Sequence, residues 1–191
     1  MSDSIFFRRQ SKRAYLPKPV EQEKLDRIFE KVRWSPSCNN NQPWKFVVVR
    51  DPAQHAKFMT AASKGNQWAA AAPILIAVCS RPTDDVIRKD DHVEYYSLGC
   101  GLAVMSLLLA SVEEGLMGHP MAGYDSPALK QQLEIPAEYN VMCIISLGYP
   151  GPIDLLDDRT RAKDETPRTR KPIDQILSYD RFAFTEIPKE A

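Results

Sequence analysis

The chain has 191 residues, 43% of them apolar and 26% charged, the range of one globular domain that can bury its own core. Its 25 Lys and Arg balance 25 Asp and Glu, so the formal charge is zero and a generic nucleic-acid surface held by phosphate contacts is excluded. Four cysteines without a CxxC pair (Cys38, Cys79, Cys100, Cys143) and three unclustered histidines indicate neither a zinc site nor a disulfide framework.

The opening MSDSIFFRRQSKR turns basic after its apolar residues, the reverse of a secretory signal, so a cytoplasmic location is expected. After a short N-terminal helix, Leu25, Ile28, Phe29 and Val32 recur at three- and four-residue spacing and predict an amphipathic helix over Val20 to Arg33, with Pro36 marking its exit. The turn-forming stretch SPSCNNNQPW leads into a strand at Phe46 to Val49. Pro52 opens a helix to about Ala62, and Pro73 precedes a strand from Ile74 to Cys79.

A long helix is predicted from Asp90 to Glu114, ended by Gly115. Its apolar part, Leu98 to Val112, falls short of the roughly 20 residues of a membrane span and is expected to be buried. Gly99, Gly101, Ala103 and Ala110 would let another backbone approach this helix, one reason to expect a subunit interface. Leu116 to Met121 reads as a short strand, Ser126-Pro127 as a helix start, and Val141 to Leu147 as the most strand-like run. From Tyr149 the chain becomes proline-rich and charged, so residues 149–191 are expected to be an extended C-terminal arm on a single domain, 1–191. Together these elements predict an α+β layer fold with helices on a sheet of about four or five strands.

Charge is unevenly distributed. Residues 1–13 hold Arg8, Arg9, Lys12 and Arg13 against Asp3, and residues 159–171 hold six Lys and Arg against Asp164 and Glu165. These two basic ends are either solvated tails or the two halves of a site for one small anion such as a phosphate ester.

Five segments resemble the nitroreductase family of flavoproteins in order along most of the chain. They are Arg9-Gln10-Ser11-Lys12-Arg13 with Tyr15 and Pro19-Val20; Ser35 to Phe46; Ala72-Pro73 with Gly101-Leu102-Ala103 and Gly115-Leu116; His119 to Asp125; and Ser146 to Pro150, closed by Arg168-Thr169-Arg170-Lys171-Pro172. The resemblance implies a three-layer α/β/α fold around a mostly antiparallel sheet, and a homodimer that exchanges its C-terminal arms and holds FMN at the subunit interface. It further implies hydride transfer from NAD(P)H through flavin N5 to a small electron-poor acceptor such as a nitroaromatic or quinone. An ene-reductase or dehalogenase on the same scaffold, or a flavin-binding protein without turnover, are the alternatives.

The same resemblance assigns cofactor-binding roles. Arg9, Gln10, Ser11, Arg168 and Arg170 would meet the flavin phosphate, and Arg13 the pyrimidine edge of the ring, where a cation favours the reduced anion. Asn40 could both donate and accept at the ring's polar edge, or be a turn residue chosen for its tolerance of positive φ. Pro36, Ser37 and Cys38 would cover the ring from the second subunit. Backbone amides at Met121, Ala122 and Gly123 would lie near N5, although many family members carry a carboxylate where this chain has Ala122. Gln67 either reaches the ring edge or is a surface glutamine. Trp44 and His119 read as structural, and neither a protein nucleophile nor a metal is expected.

Overall fold

The computed structural model describes residues 3–184; the outermost parts of the predicted 1–191 domain and of its arm lie outside the described residues. β2 (Ile74–Ser80) is the centre of a four-stranded sheet in the order β1-β2-β4-β3, every neighbouring pair antiparallel, with β1 at Lys45–Val49, β3 at Met117–Met121 and β4 at Asn140–Gly148. All seven residues of β2 are buried. Alternation along the strand explains why: Ile74, Ile76 and Val78 face one hydrophobic core, and Leu75, Ala77 and Cys79 face the other.

The first core is closed by α2 (Gln22–Val32) and α4 (Tyr95–Glu113), which pack on each other. Leu25, Ile28 and Val32 bury the helix face that the spacing predicts. At the far end Arg27 and Lys31 pair with Glu114 and Glu113, while Lys24 donates to the Glu114 carbonyl, placing cations where the α4 backbone dipole is negative. The second core lies under α3 (Pro52–Ala61), α5 (Ser126–Gln132) and a 3-10 segment at Lys64–Ala71. Helices therefore cover both faces of the sheet, the α/β/α layering expected from the resemblance.

Gly115 ends α4 at φ 76°, with the Leu116 N–H returning to the Ser111 carbonyl. The beginning of α4 differs from expectation, since residues 90–94 form a turn. Arg88 holds Asp90, His92 adopts φ 57°, and Ile87 bridges Glu94, so these polar groups satisfy one another in a loop. Of the four small residues, Ala103 and Ala110 enter the molecule's own core and Gly99 is packed by Pro43, where a Cβ would stand 3.0 Å away; Gly101 alone faces outward. With a mean hydropathy of 1.6 over its most apolar window, α4 is long and apolar enough to cross a bilayer, which corrects the shorter span read from sequence; half of that window is buried within the fold.

The arm also differs from an extended chain. Its root pairs with the N-terminal segment through Leu16 N–H to the Tyr149 carbonyl and Gly151 N–H to the Ala14 carbonyl. It then forms α6 (Asp158–Glu165), capped by Asp157, whose side chain accepts from the Thr160 N–H. Beyond α6 the described residues are almost all exposed.

Gly148 is required where β4 meets Tyr15, because a Cβ would lie 2.6 Å from Pro73 Cδ and 3.0 Å from the buried Tyr15 ring. Both neighbours are stiff rings, so Gly148→Ala is expected to cost roughly 1–3 kcal/mol, seen as a lower urea midpoint at an unchanged m-value. An unaltered midpoint would mean that the rings can retreat.

Candidate functional site

The N-terminal segment and the arm meet in a pocket of about 150 Å³ lined by Arg9, Gln10, Ser11, Lys12 and Arg13 from one side and by Lys163, Asp164, Thr166, Arg168 and Arg170 from the other. Arg9 Nη1 donates to Ser11 Oγ at 3.3 Å, and Arg168 Nη1 donates to the Phe7 carbonyl at 2.9 Å across the junction. Burial, followed by repulsion from Arg168 and Arg170, lowers the Arg9 pKa. Cations gathered this closely disfavour one another until an anion is present. Among the described residues Asp164 is the only acid lining the pocket, and it is already engaged by Arg13.

That pairing uses both carboxylate oxygens: Arg13 Nη1 donates to Oδ1 at 2.6 Å, and the Arg13 backbone N–H donates to Oδ2 at 3.1 Å. The Asp164 side chain is only 2% exposed. The Arg13 guanidinium also lies 5.6 Å from the Trp68 ring centroid, and Trp68 lies 4.7 Å from the His119 ring. His119 Nδ1 is 3.0 Å from the Lys12 carbonyl, and because a carbonyl only accepts, Nδ1 carries the proton. Burial, reinforced by Arg13 and Arg9, pushes His119 down to about 4. The ring is thus a neutral wedge, and the strand that carries it reaches Met121 two residues on.

The remaining sequence-selected residues lie elsewhere. Pro36, Ser37, Cys38 and Asn40 form a loop against α4 and line neither that pocket nor the neighbouring cavity at Phe6, Phe7 and Met105. Asn40 adopts φ 56°, the Gln42 N–H donates to Ser37 Oγ at 2.9 Å, and Asn41 Nδ2 donates to Asp85 Oδ1 at 3.0 Å. Gln67 directs its amide nitrogen to the Ala62 carbonyl at 2.8 Å and the Met59 carbonyl at 3.3 Å, closing the end of α3. Met121 is buried and Ala122 exposed; the Gly123 carbonyl accepts from Ser63 N–H and Asn66 Nδ2, and a Cβ at Gly123 would meet Ser63 Oγ at 2.6 Å.

Sequence reasoning did not select Trp68, Asp85 or Asp164 as site residues. Only a three-dimensional neighbour distinguishes Asp164 from the other arm acids, and that neighbour is 151 positions away. Among the described residues, no group of three His, Cys, Asp or Glu side chains could hold a metal ion. Burial raises Cys79 to about 11 and Cys143 to about 12, which keeps both as neutral thiols.

The chain is thus a three-layer α/β/α domain whose N-terminal segment and arm form a basic pocket, and comparison with known proteins gives its family. The nitroreductase family model matches residues 7–67 and 60–149. The chain belongs to the nitroreductase family and is an oxidoreductase. It is 31% identical over 150 residues, covering 76% of this chain and 83% of the relative, to a protein of Archaeoglobus fulgidus whose name, a provisional one, is NADH dehydrogenase/NAD(P)H nitroreductase. An NADH dehydrogenase of Thermus thermophilus is 25% identical, covering 90% of this chain and 92% of the relative. Among solved structures, an oxidoreductase containing FMN superposes with a TM-score of 0.86 at 28% identity, covering 97% of this chain and 94% of that one. A nitroreductase family protein from Clostridium difficile 630 shares the fold at a TM-score of 0.77 and 22% identity, covering 93% and 96%.

Proposed function

We propose that the chain binds FMN and catalyses reduction of a small electron-poor organic acceptor, such as a nitroaromatic or quinone, by NAD(P)H. The observation that carries this reading is the meeting of the two basic ends in one pocket. Six cationic side chains (Arg9, Lys12, Arg13, Lys163, Arg168, Arg170) line it against a single acid that is already paired. This donor set fits a dianionic phosphate ester: the guanidinium groups offer paired N–H donors, Ser11 offers a hydroxyl, and the anion relieves the repulsion around Arg9.

FMN, when bound, supplies hydride transfer between a nicotinamide and the acceptor; the protein supplies position and electrostatics. Arg9, Ser11, Arg168 and Arg170 would hold the phosphate, with Gln10 beside them. Arg13 keeps part of its guanidinium beyond the Asp164 contact for the pyrimidine edge of the ring. Backbone at Met121, Ala122 and Gly123 is tied to the 3-10 segment through the Gly123 carbonyl, which supports its use as a fixed donor surface near N5. Gln67 would contribute its amide oxygen at the ring edge.

A homodimer is part of the same reading, with Pro36, Ser37, Cys38 and Asn40 of a second subunit covering the ring. Supporting it, the outer face of α4 exposes Leu98, Leu102 and Met105, and Phe6 and Phe7 are exposed on the N-terminal helix that packs on α4, an apolar surface suited to a partner. The arm is exposed at Ile173, Ile176, Leu177 and Phe182, suiting exchange between subunits. A cytoplasmic setting, where NAD(P)H is available, completes the reading.

The test is an anaerobic visible spectrum of the purified yellow protein before and after stoichiometric NADH or NADPH. Bleaching by either, with colour restored by a nitroaromatic or quinone, is expected. Protein that stays yellow with both nicotinamides would overturn the catalytic reading.

A further inference from the structure

We infer that Asp164 is a positioning residue of the site, whose carboxylate seats Arg13 and docks the arm on the N-terminal segment, so that arm docking and anion binding are energetically coupled. The inference rests on the phosphate reading of the pocket. It goes beyond that reading by assigning a role to a residue that need not touch the ligand.

Position along the arm comes first. The root, at Tyr149 and Gly151, pairs with Ala14 and Leu16 in backbone hydrogen bonds that do not depend on α6. Within α6 Thr160 is buried, and Asp164 at 2% side-chain exposure is the last well-buried polar side chain before the exposed stretch that carries Arg168 and Arg170. Past that point, the cross-junction hydrogen bond to the N-terminal segment is an exposed one, Arg168 to the Phe7 carbonyl. The placement of two phosphate-facing arginines therefore hangs on the Asp164–Arg13 contact.

Charge comes second. Arg9 is repelled by Arg168 and Arg170, so docking the arm without an anion brings like charges together. The partly buried Asp164–Arg13 pair opposes that repulsion. A phosphate dianion reverses its sign, so the ligand binds the docked arm better than the free one. By linkage, docking raises ligand affinity by the same factor by which the ligand favours docking, so a change that undocks the arm lowers apparent affinity as the docked population falls. Losing the Asp164 charge is expected to weaken anion affinity on the order of 5- to 150-fold, the usual range of such couplings.

Limited proteolysis with a glutamate-specific protease reads docking directly, because Glu165 follows Asp164 and is not one of the cationic groups a phosphate would cover. Cleavage after Glu134, in an exposed turn far along the chain, controls for global unfolding. In the flavin-free wild type, inorganic phosphate or FMN is expected to slow cleavage at Glu165 and leave Glu134 unchanged. In Asp164→Asn, Glu165 should be cut faster without ligand and need more phosphate for protection. FMN affinity, followed by flavin fluorescence, should fall with it, and Asp164→Glu, which adds a cleavage site of its own and is therefore read by affinity alone, should restore it. Wild-type protein whose cleavage at Glu165 ignores phosphate and FMN alike would overturn the coupling without any variant being needed. So would an Asp164→Asn protein with wild-type protection and affinity. If phosphate protects while FMN neither binds nor protects, the coupling stands and the flavin reading fails.

Discussion

Replacing Arg9 and Arg170 together by alanine is expected to strip the flavin from the protein while leaving the fold intact. Each guanidinium would make charge-assisted hydrogen bonds to the phosphate, worth about 1.5–3 kcal/mol apiece, so the double change should weaken FMN binding by about two to four orders of magnitude. No core contact goes with them: Arg170 is exposed and bonds only the neighbouring Thr169 carbonyl, and Arg9 is held by Ser11. Stability of the flavin-free protein should hold or rise, because the repulsion around Arg9 disappears. Fluorescence titration of FMN and thermal melting of the flavin-free protein read the two halves separately. A double variant that keeps wild-type affinity removes the phosphate assignment, and one that unfolds shows the arginines to be structural.

The two arginines show what a sequence can disclose. Net charge read by segment singled out both ends, and only folding could bring them together. The periodicity of Leu25, Ile28 and Val32 located α2 because one face had to be apolar. The runs at 74–79 and 141–147 mark the central strands, which the two core faces make apolar but for Ser146, whose hydroxyl meets the Tyr15 hydroxyl. By contrast α6 lies where the sequence predicts extended chain: the side chains it buries, Thr160 and Asp164, are polar, so no apolar pattern announces it, although Asp157 as an N-cap residue is a start signal. The early start assigned to α4 failed because Arg88 and Asp90 spend their hydrogen bonds within a turn.

Within the site, residues contiguous in sequence were legible and those joined through space were not. Arg9 to Arg13 form one segment and show their character together. Trp68 matters because Arg13 and His119 both reach it from other elements. In sequence Asp164 is one charge among many. Its burial, and not its identity, makes it significant.

His119 carries the second large expectation. Its ring is packed against Trp68, donates to the Lys12 carbonyl, and is faced by Arg13 and Arg9 as cations and Asp164 as an anion. Burial dominates and holds the folded-state pKa at about 4, against about 6.5 in an unfolded chain. The folded protein therefore excludes a proton that the unfolded chain accepts. The resulting stability is fully present above pH 6.5, declines as pH falls, and is gone below about 4, a total of about 3 kcal/mol at 1.36 kcal/mol per unit. Carboxylates also titrate in this range, so the comparison must be with His119→Gln, in which they are unchanged and the amide can still donate to Lys12. Between pH 7 and 4 the denaturant midpoint of the wild type should fall more steeply, narrowing any stability gap between the two by about 3 kcal/mol. Parallel curves would show that the ring takes up its proton as readily in the fold as in the unfolded chain. A charged His119 would also stand beside Arg13 and Arg9, so acid should loosen the N-terminal segment, and with it the basic pocket, before the central sheet opens.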